Sequence, residues 1–507
     1  MEWKADRSRL LASMALAISV FITPLCRGAA SEPDAGAHWR ALSEIDSHAA
    51  LELIEESHPA ASAELNDKMF LALLDVAKRH VQERTPKVID YASYRALMAG
   101  LATDLRDGHI WAHPTVNPVF VEWTGMMLSR RDHQWIVESQ YPIPGQPDVV
   151  GARLQSCDGV DAETWAKERI ALFHGNAEVE ADLVDAAPWL LLDEGNPFLK
   201  RPQTCVFQRS GEPALPMTLY WGGGSQDVVA EAMEKASTGS EVGLDILPFE
   251  NGYWIDLGTL HAEAADLVAK ARQQQAALRK AKVVVIDLRG NGGGNSGYAW
   301  ELAKVLVGDA RVNATDRPQN CGGAYWRVSE GNIAAREGLR QHVQKSQLAD
   351  YDETTKAMRD ALAAGKAFTP ALPPCAVHST GRVSRSRPAL PRSLMKGRLI
   401  IITDHSCFSS CLLAVDLFKQ LGSTQVGEAT NVSQRYMEVR QIVLPSGLTK
   451  FSTLQKVSLG DGNFGPYAPD VAFTGRMNDT ASLRSWIRAT FGASVDSDLK
   501  NAALPVR

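Results

Sequence analysis

The sequence predicts an α/β protein: a largely parallel sheet, preceded by a helical region and a β-rich region. Three observations carry that prediction. The apolar run 283–288 (Val-Val-Val-Ile-Asp-Leu) stops abruptly and continues through Arg289-Gly290-Asn291-Gly292-Gly293-Gly294. About a hundred residues later, the run 399–402 (Leu-Ile-Ile-Ile) stops at Thr403-Asp404-His405-Ser406-Cys407-Phe408-Ser409-Ser410 and enters helical sequence. Continuous apolar runs of this length suit strands buried on both faces. From about residue 241 onward such strands alternate with helical stretches, the pattern of a parallel sheet covered by helices.

In chain order, residues 1–30 read as a secretory signal. Lys4, Arg7 and Arg9 precede an apolar run from Leu10 to about Leu25, and Gly28-Ala29-Ala30 offers small residues before Ser31. A membrane anchor is the alternative, disfavoured by the run's modest length; a lipoprotein through Cys26 is disfavoured by Thr23-Pro24-Leu25. Residues 31–114 read as helical. Tyr94, Leu97, Met98, Leu101 and Leu105 form one helical stripe, which should end at Asp107-Gly108-His109 with Gly108 as C-cap. Residues 115–225 carry short β-rich runs such as Trp135-Ile136-Val137 between Pro- and Gly-rich turns, with a helix near 162–173. Residues 226–480 form the α/β core: a strand at 253–257, a helix across 261–280 and the two apolar strands. A charged, helix-like insertion at about 310–390 interrupts it, as a lid or a plain surface excursion. Residues 481–507 read as a C-terminal tail.

Composition limits the classes of function. The 507-residue chain is 45% hydrophobic and 22% charged with a formal charge of −6, so it has ample core and no basic face for nucleic acid. Setting Cys26 aside leaves six cysteines, an even set that suits an oxidising compartment. Six allow fifteen connectivities; local order suggests Cys157–Cys205, Cys321–Cys375 and Cys407–Cys411. Cys407 and Cys411, if reduced instead, would be small buried packing residues. No metal-ligand spacing is present, so neither metal nor cofactor is expected.

Three elements could carry chemistry. Ser409 follows a buried strand and opens a helix whose Leu412, Val415 and Phe418 share one face. The unpartnered amides of a helix N-terminus can stabilise a tetrahedral oxyanion. Equally, Ser409 or Ser406 could simply cap that helix. The run Gly292-Gly293-Gly294 could supply further oxyanion amides. A phosphate cradle fits less well, since neither a dinucleotide fingerprint nor a GK[ST] follows. His109, beside Asp107, could act as a general base, although His113 is an equal candidate and nothing local places either beside Ser409.

Resemblance sharpens this. Asp287-Leu288-Arg289-Gly290-Asn291-Gly292-Gly293-Gly294 resembles the DLRxNxGG signature of the C-terminal processing (tail-specific) serine protease family. Phe408-Ser409-Ser410 followed by Val426-Gly427-Glu428-Ala429-Thr430 resembles that family's nucleophile helix and GExT strand, and Gly465 to Val471 resembles its GxxPDxxV. The resemblance implies a Clp-protease/crotonase-like core, Ser409 as nucleophile, and Gly293 and Ser410 amides as the oxyanion hole. Gly151 to Val160 resembles part of a PDZ-like domain, which would bind a chain end. One departure matters: the lysine base of the bacterial branch has no counterpart in 431–435, and Lys450 and Lys456 lie too far along. Leu105-Arg106-Asp107-Gly108-His109 resembles instead the LxDxH pattern of the tricorn-like branch. That implies a triad of Ser409, His109 and an acid, for which Asp461 is the nearest candidate. The expectation is an exported serine endopeptidase acting on peptides or unfolded protein. The alternatives are a non-catalytic ligand- or peptide-binding protein on the same fold, or an esterase or amidase for small substrates.

Overall fold

The computed structural model describes residues 35–491 except 117–121, 238, 316–322, 344, 373–388 and 460–463. The expected signal segment, the expected Cys321–Cys375 pair and Asp461 lie outside the described residues.

The core is a six-stranded sheet in the order Leu244–Phe249, Gly252–Leu257, Val283–Asp287, Arg398–Thr403, Thr424–Gly427, Val471–Ala472. The first pair is antiparallel and every other pairing parallel. Successive strand residues point to opposite faces, which explains why both apolar runs lack polar alternation. Val284, Ile286, Leu399 and Ile401 pack under the helices Ala264–Gln273, Gly297–Val307 and Ser410–Gln420. Val285, Ile400 and Ile402 pack on the other face against Leu483 and Ile487 of the helix Thr480–Phe491. The segment read as a tail therefore begins with a helix that closes one face of the sheet. Its apolar Leu483, Trp486 and Ile487 stand at i, i+3 and i+4.

The helices Ala35–Ser57, Lys68–Arg84 and Tyr91–Asp104 pack on a second sheet, whose central strand is Thr449–Ser458. The third helix stops earlier than its stripe suggests. Leu105 is its C-cap, and Arg106 takes the left-handed conformation at φ 51° that Gly108 was expected to supply. Gly108 serves space instead: a Cβ there would stand 3.0 Å from the Phe408 ring.

The third sheet runs Met126–Arg131, Gln134–Gln140, Arg153–Cys157, Thr204–Gln208, Leu215–Thr218, all antiparallel. The helix Ala162–Phe173 and the helix Glu180–Ala186 cover it. Cys157 and Cys205 face each other across the register and form a disulfide, and Cys407–Cys411 forms another. Within the insertion, Ala324–Trp326 joins the second sheet beside Thr449–Ser458, and the helices Glu330–Leu339 and Leu348–Ala363 follow.

Candidate active site

The strand Val283–Asp287 ends in a clamp. Asp287 and Arg289 are both buried and paired: Nε meets Oδ1 at 2.8 Å and Nη2 meets Oδ2 at 2.6 Å. The same guanidinium donates to the Met477 carbonyl and, at 3.1 Å, to Thr480 Oγ1, at the start of the C-terminal helix. Asn291 then braces the glycine turn. Its Nδ2 donates to Leu257 O at 2.8 Å, and its Oδ1 accepts the Gly293 amide at 2.9 Å. Each polar residue of the first motif thus satisfies a buried backbone or charged group that would otherwise be costly.

The second strand end meets this turn. Asp404 is fully buried and accepts the Gly290 and Ser406 amides at 3.1 Å. Burial pushes its carboxyl up to about 6, against the pull of His405 and the Gly290 amide. Phe408 N–H donates to Asn291 O at 3.1 Å, and Ser410 Oγ donates to Gly294 O at 2.6 Å.

Between them Ser409 sits at φ 55°, ψ −121°, a conformation that an L-residue with a side chain adopts only under strain. It makes no capping hydrogen bond to the helix it precedes, so the capping explanation of this serine fails. Ser410 occupies the first helical position, where amides lack intrahelical partners. Gly293 stands opposite: at φ 106°, a Cβ on it would lie 2.9 Å from Ser409 Cβ and 3.0 Å from Ser410 N. The Gly293 amide, expected as an oxyanion donor, is engaged by Asn291 in this structure.

His109 reaches the same place from the helical region. After the helix ends, Ala112–Pro114 adds antiparallel to Thr449–Ser458. Buried Ser452 pins the turn, donating to His109 O at 2.7 Å and accepting Trp111 N–H at 2.9 Å. The His109 ring is buried against Phe408, with ring centroids 4.4 Å apart. Its Nδ1 lies 3.2 Å from Asp107 Oδ1. His113 is exposed and stacks on Trp111. Lys450 pairs across the strands from His113, and Lys456 is held by Glu438 at 2.9 Å. No hydrogen bond joins His109 to Ser409 among the described contacts.

Local sequence reading missed His405. It is buried, with Nε2 3.1 Å from Asp185 and Nδ1 3.2 Å from Glu428. Burial would lower its pKa, but the hydrogen bonds to Asp185 and Glu428 override that and hold it well above the ordinary value. Asp185 lies on the helix Glu180–Ala186, as does Asp182, which accepts from Asn431 Nδ2 at 3.3 Å. These contacts seat the β-rich region beside the serine loop. A cavity of about 510 Å³ opens there, lined by Asp107, Trp111, His113, Asp182, Asp185 and Phe408 among others. Among the described residues no group of three or more His, Cys, Asp or Glu side chains is arranged to hold a metal ion.

Residues 254–472 match the model of peptidase family S41. The α/β core is similar to that of the S41 peptidases. The match spans both strand-end motifs, Ser409 and the Glu428 segment. No curated protein sequence matches the chain. Among solved structures, mature CPAF aligns with a TM-score of 0.55 and 11% identity, over 89% of this chain and 97% of that one. Mature CPAF complexed with lactacystin aligns at 0.53 and 12%, over 89% and 98%. At such identities the likeness is one of fold, and it extends well beyond residues 254–472. No helix among the described residues is long and apolar enough to cross a membrane.

Proposed function

We propose that this S41 protein is an exported serine endopeptidase of the tail-specific type, lacking the lysine base, that cleaves peptides or unfolded protein. The observation that carries the reading is Ser409 itself: strained, free of any capping bond, half-buried at a helix mouth and faced by a glycine whose side chain would collide with it. In this reading Ser409 Oγ attacks the scissile carbonyl while His109 takes its proton, and the imidazolium then protonates the leaving amine. The Ser410 amide stabilises the oxyanion; Gly293 joins it by exchanging Asn291 for the substrate oxygen. His109 already packs on the neighbour of Ser409, and the bond between them tightens when substrate binds, as catalytic hydrogen bonds commonly do.

The basic and apolar stretch at 1–30 supports export, and two disulfides fit an oxidising compartment. The β-rich region 115–225 is read as a PDZ-like module that presents chain ends to the core at 226–480, with 31–114 as the helical support of His109. The test is hydrolysis of denatured casein by the mature protein and by Ser409→Ala. Cleavage that disappears in a folded variant, a loss of at least about 10³-fold, supports the reading. Cleavage that persists removes Ser409 from it.

A further inference from the structure

Near His109 stand two further buried polar residues, Asp107 and His58. Asp107 is almost wholly enclosed. Its Oδ1 accepts the His109 backbone N–H at 2.9 Å and faces His109 Nδ1 at 3.2 Å. Its Oδ2 is buried with no hydrogen-bond partner among the described residues.

His58 is the second. It follows the helix Ala35–Ser57 and is fully buried, stacked parallel on Phe70 with centroids 4.2 Å apart and tilted against Tyr436 at 4.8 Å. Its Nδ1 accepts the Ala60 amide at 3.1 Å, so the neutral ring carries its proton on Nε2. That Nε2 is likewise buried and without a partner. Burial pushes His58 down to about 4, and of the charges acting on it Asp107 has the largest influence, ahead of Asp67. An acceptor lacking a donor and a donor lacking an acceptor therefore share one buried region. Leaving either unpaired is unfavourable.

We propose that Asp107, rather than Asp461, is the carboxylate that orients His109, with the Nε2–H of His58 supporting the second carboxylate oxygen. This rests on the reading of His109 as the base for Ser409. With Nδ1–H directed at Asp107, the His109 Nε2 lone pair is left to take the serine proton. Asp107 stabilises the imidazolium without accepting its proton. Asp107 is thus a positioning residue, and a loop-forming role is its competitor, because Asp107 Oδ1 on the His109 amide is also an ordinary Asx turn.

Asp107→Asn separates the two roles, since the amide oxygen keeps the turn while the charge is lost. On a fluorogenic peptide taken from the casein digest, Asp107→Asn should lower kcat by about 10²–10⁴-fold with KM and Tm little changed. The acidic limb of kcat/KM should move to lower pH, because the imidazolium loses its counter-charge. The substitution also removes a charge that acts on His58 and Tyr436, while Asp67, which faces both, keeps its own. His58→Phe, which keeps an aromatic ring on Phe70, should lower kcat about fivefold, the worth of one hydrogen bond. Asp461→Asn should retain activity.

Full activity and an unmoved limb in Asp107→Asn, with Ser409→Ala and His109→Ala both inactive, would overturn the proposal and leave the peptidase reading standing. Unchanged kcat in His58→Phe would remove His58 from it. Activity surviving in Ser409→Ala or in His109→Ala would instead sink the reading on which the proposal rests.

Discussion

The serine loop, 404–410, and the histidine loop, 105–111, touch through Phe408 and His109, yet they are held in different ways. The serine loop is fixed by the sheet that carries it. Parallel strands aim it, Asp404 and Asn291 tie it to the glycine turn, a disulfide brackets it, and the Asp287–Arg289 pair anchors that turn beneath. The histidine loop has no comparable internal framework. It is delivered by a separate helical layer and secured by strand addition and one hydroxyl, Ser452. The first arrangement can store strain at Ser409 because its surroundings over-determine the backbone. The second depends on docking, so it is where the site should loosen first.

Breaking the stronger side should have the largest effect on stability. Arg289→Ala leaves Asp287 buried and uncompensated, and should cost about 3–5 kcal/mol in urea unfolding. A cost near zero would mean the clamp does not anchor the glycine turn. On the weaker side, Ser452→Ala removes two buried hydrogen bonds and should cost about 1–3 kcal/mol. Its casein hydrolysis should fall further than its stability implies, because the histidine loop is released while the serine loop stays in place. Equal retention of activity and fold would show that docking alone positions His109.

His405→Gln probes the seating of the β-rich region. The His405 pKa is raised, so its contribution to stability is complete below the unfolded-state value near 6.5. It is lost as pH rises through the higher folded value. The Tm gap between the native protein and His405→Gln should therefore be widest below pH 6.5 and narrow on the alkaline side. A gap that widens with pH would contradict the charged state assigned to this ring. The smallest effect has the opposite sign. Ser409→Gly relieves the left-handed strain and should stabilise by up to about 1 kcal/mol while abolishing hydrolysis. A destabilised glycine variant would mean that the backbone there is unstrained.

What could be read from the sequence follows the same division. The core was legible because its chemistry is local. Asp287 and Arg289 are two residues apart, Asn291 and Gly293 likewise, and the buried strands announce themselves as apolar runs. Both disulfides within the described residues join the pairs that chain order suggested. Partnerships between distant segments left no local trace: Asp185 with His405, Asp182 with Asn431, Ser452 with His109. The helix ending before His109 was misplaced by assigning its left-handed residue to glycine, when Arg106 adopts that conformation and Gly108 makes room for Phe408. The closing helix had a readable stripe in Leu483, Trp486 and Ile487, hidden only by its nearness to the chain end.

The Arg289 clamp also sets an order of events during synthesis. Its guanidinium waits for Met477 and Thr480, 188 and 191 residues downstream. The histidine loop waits 343 residues for Ser452. A growing chain that already contains His109, the glycine turn and Ser409 has the ties between the serine loop and that turn, but still lacks the partners that anchor the turn beneath and hold the histidine loop. The candidate site is therefore complete only once residue 480 has been made, and a shorter fragment carries Ser409 and His109 without their full support.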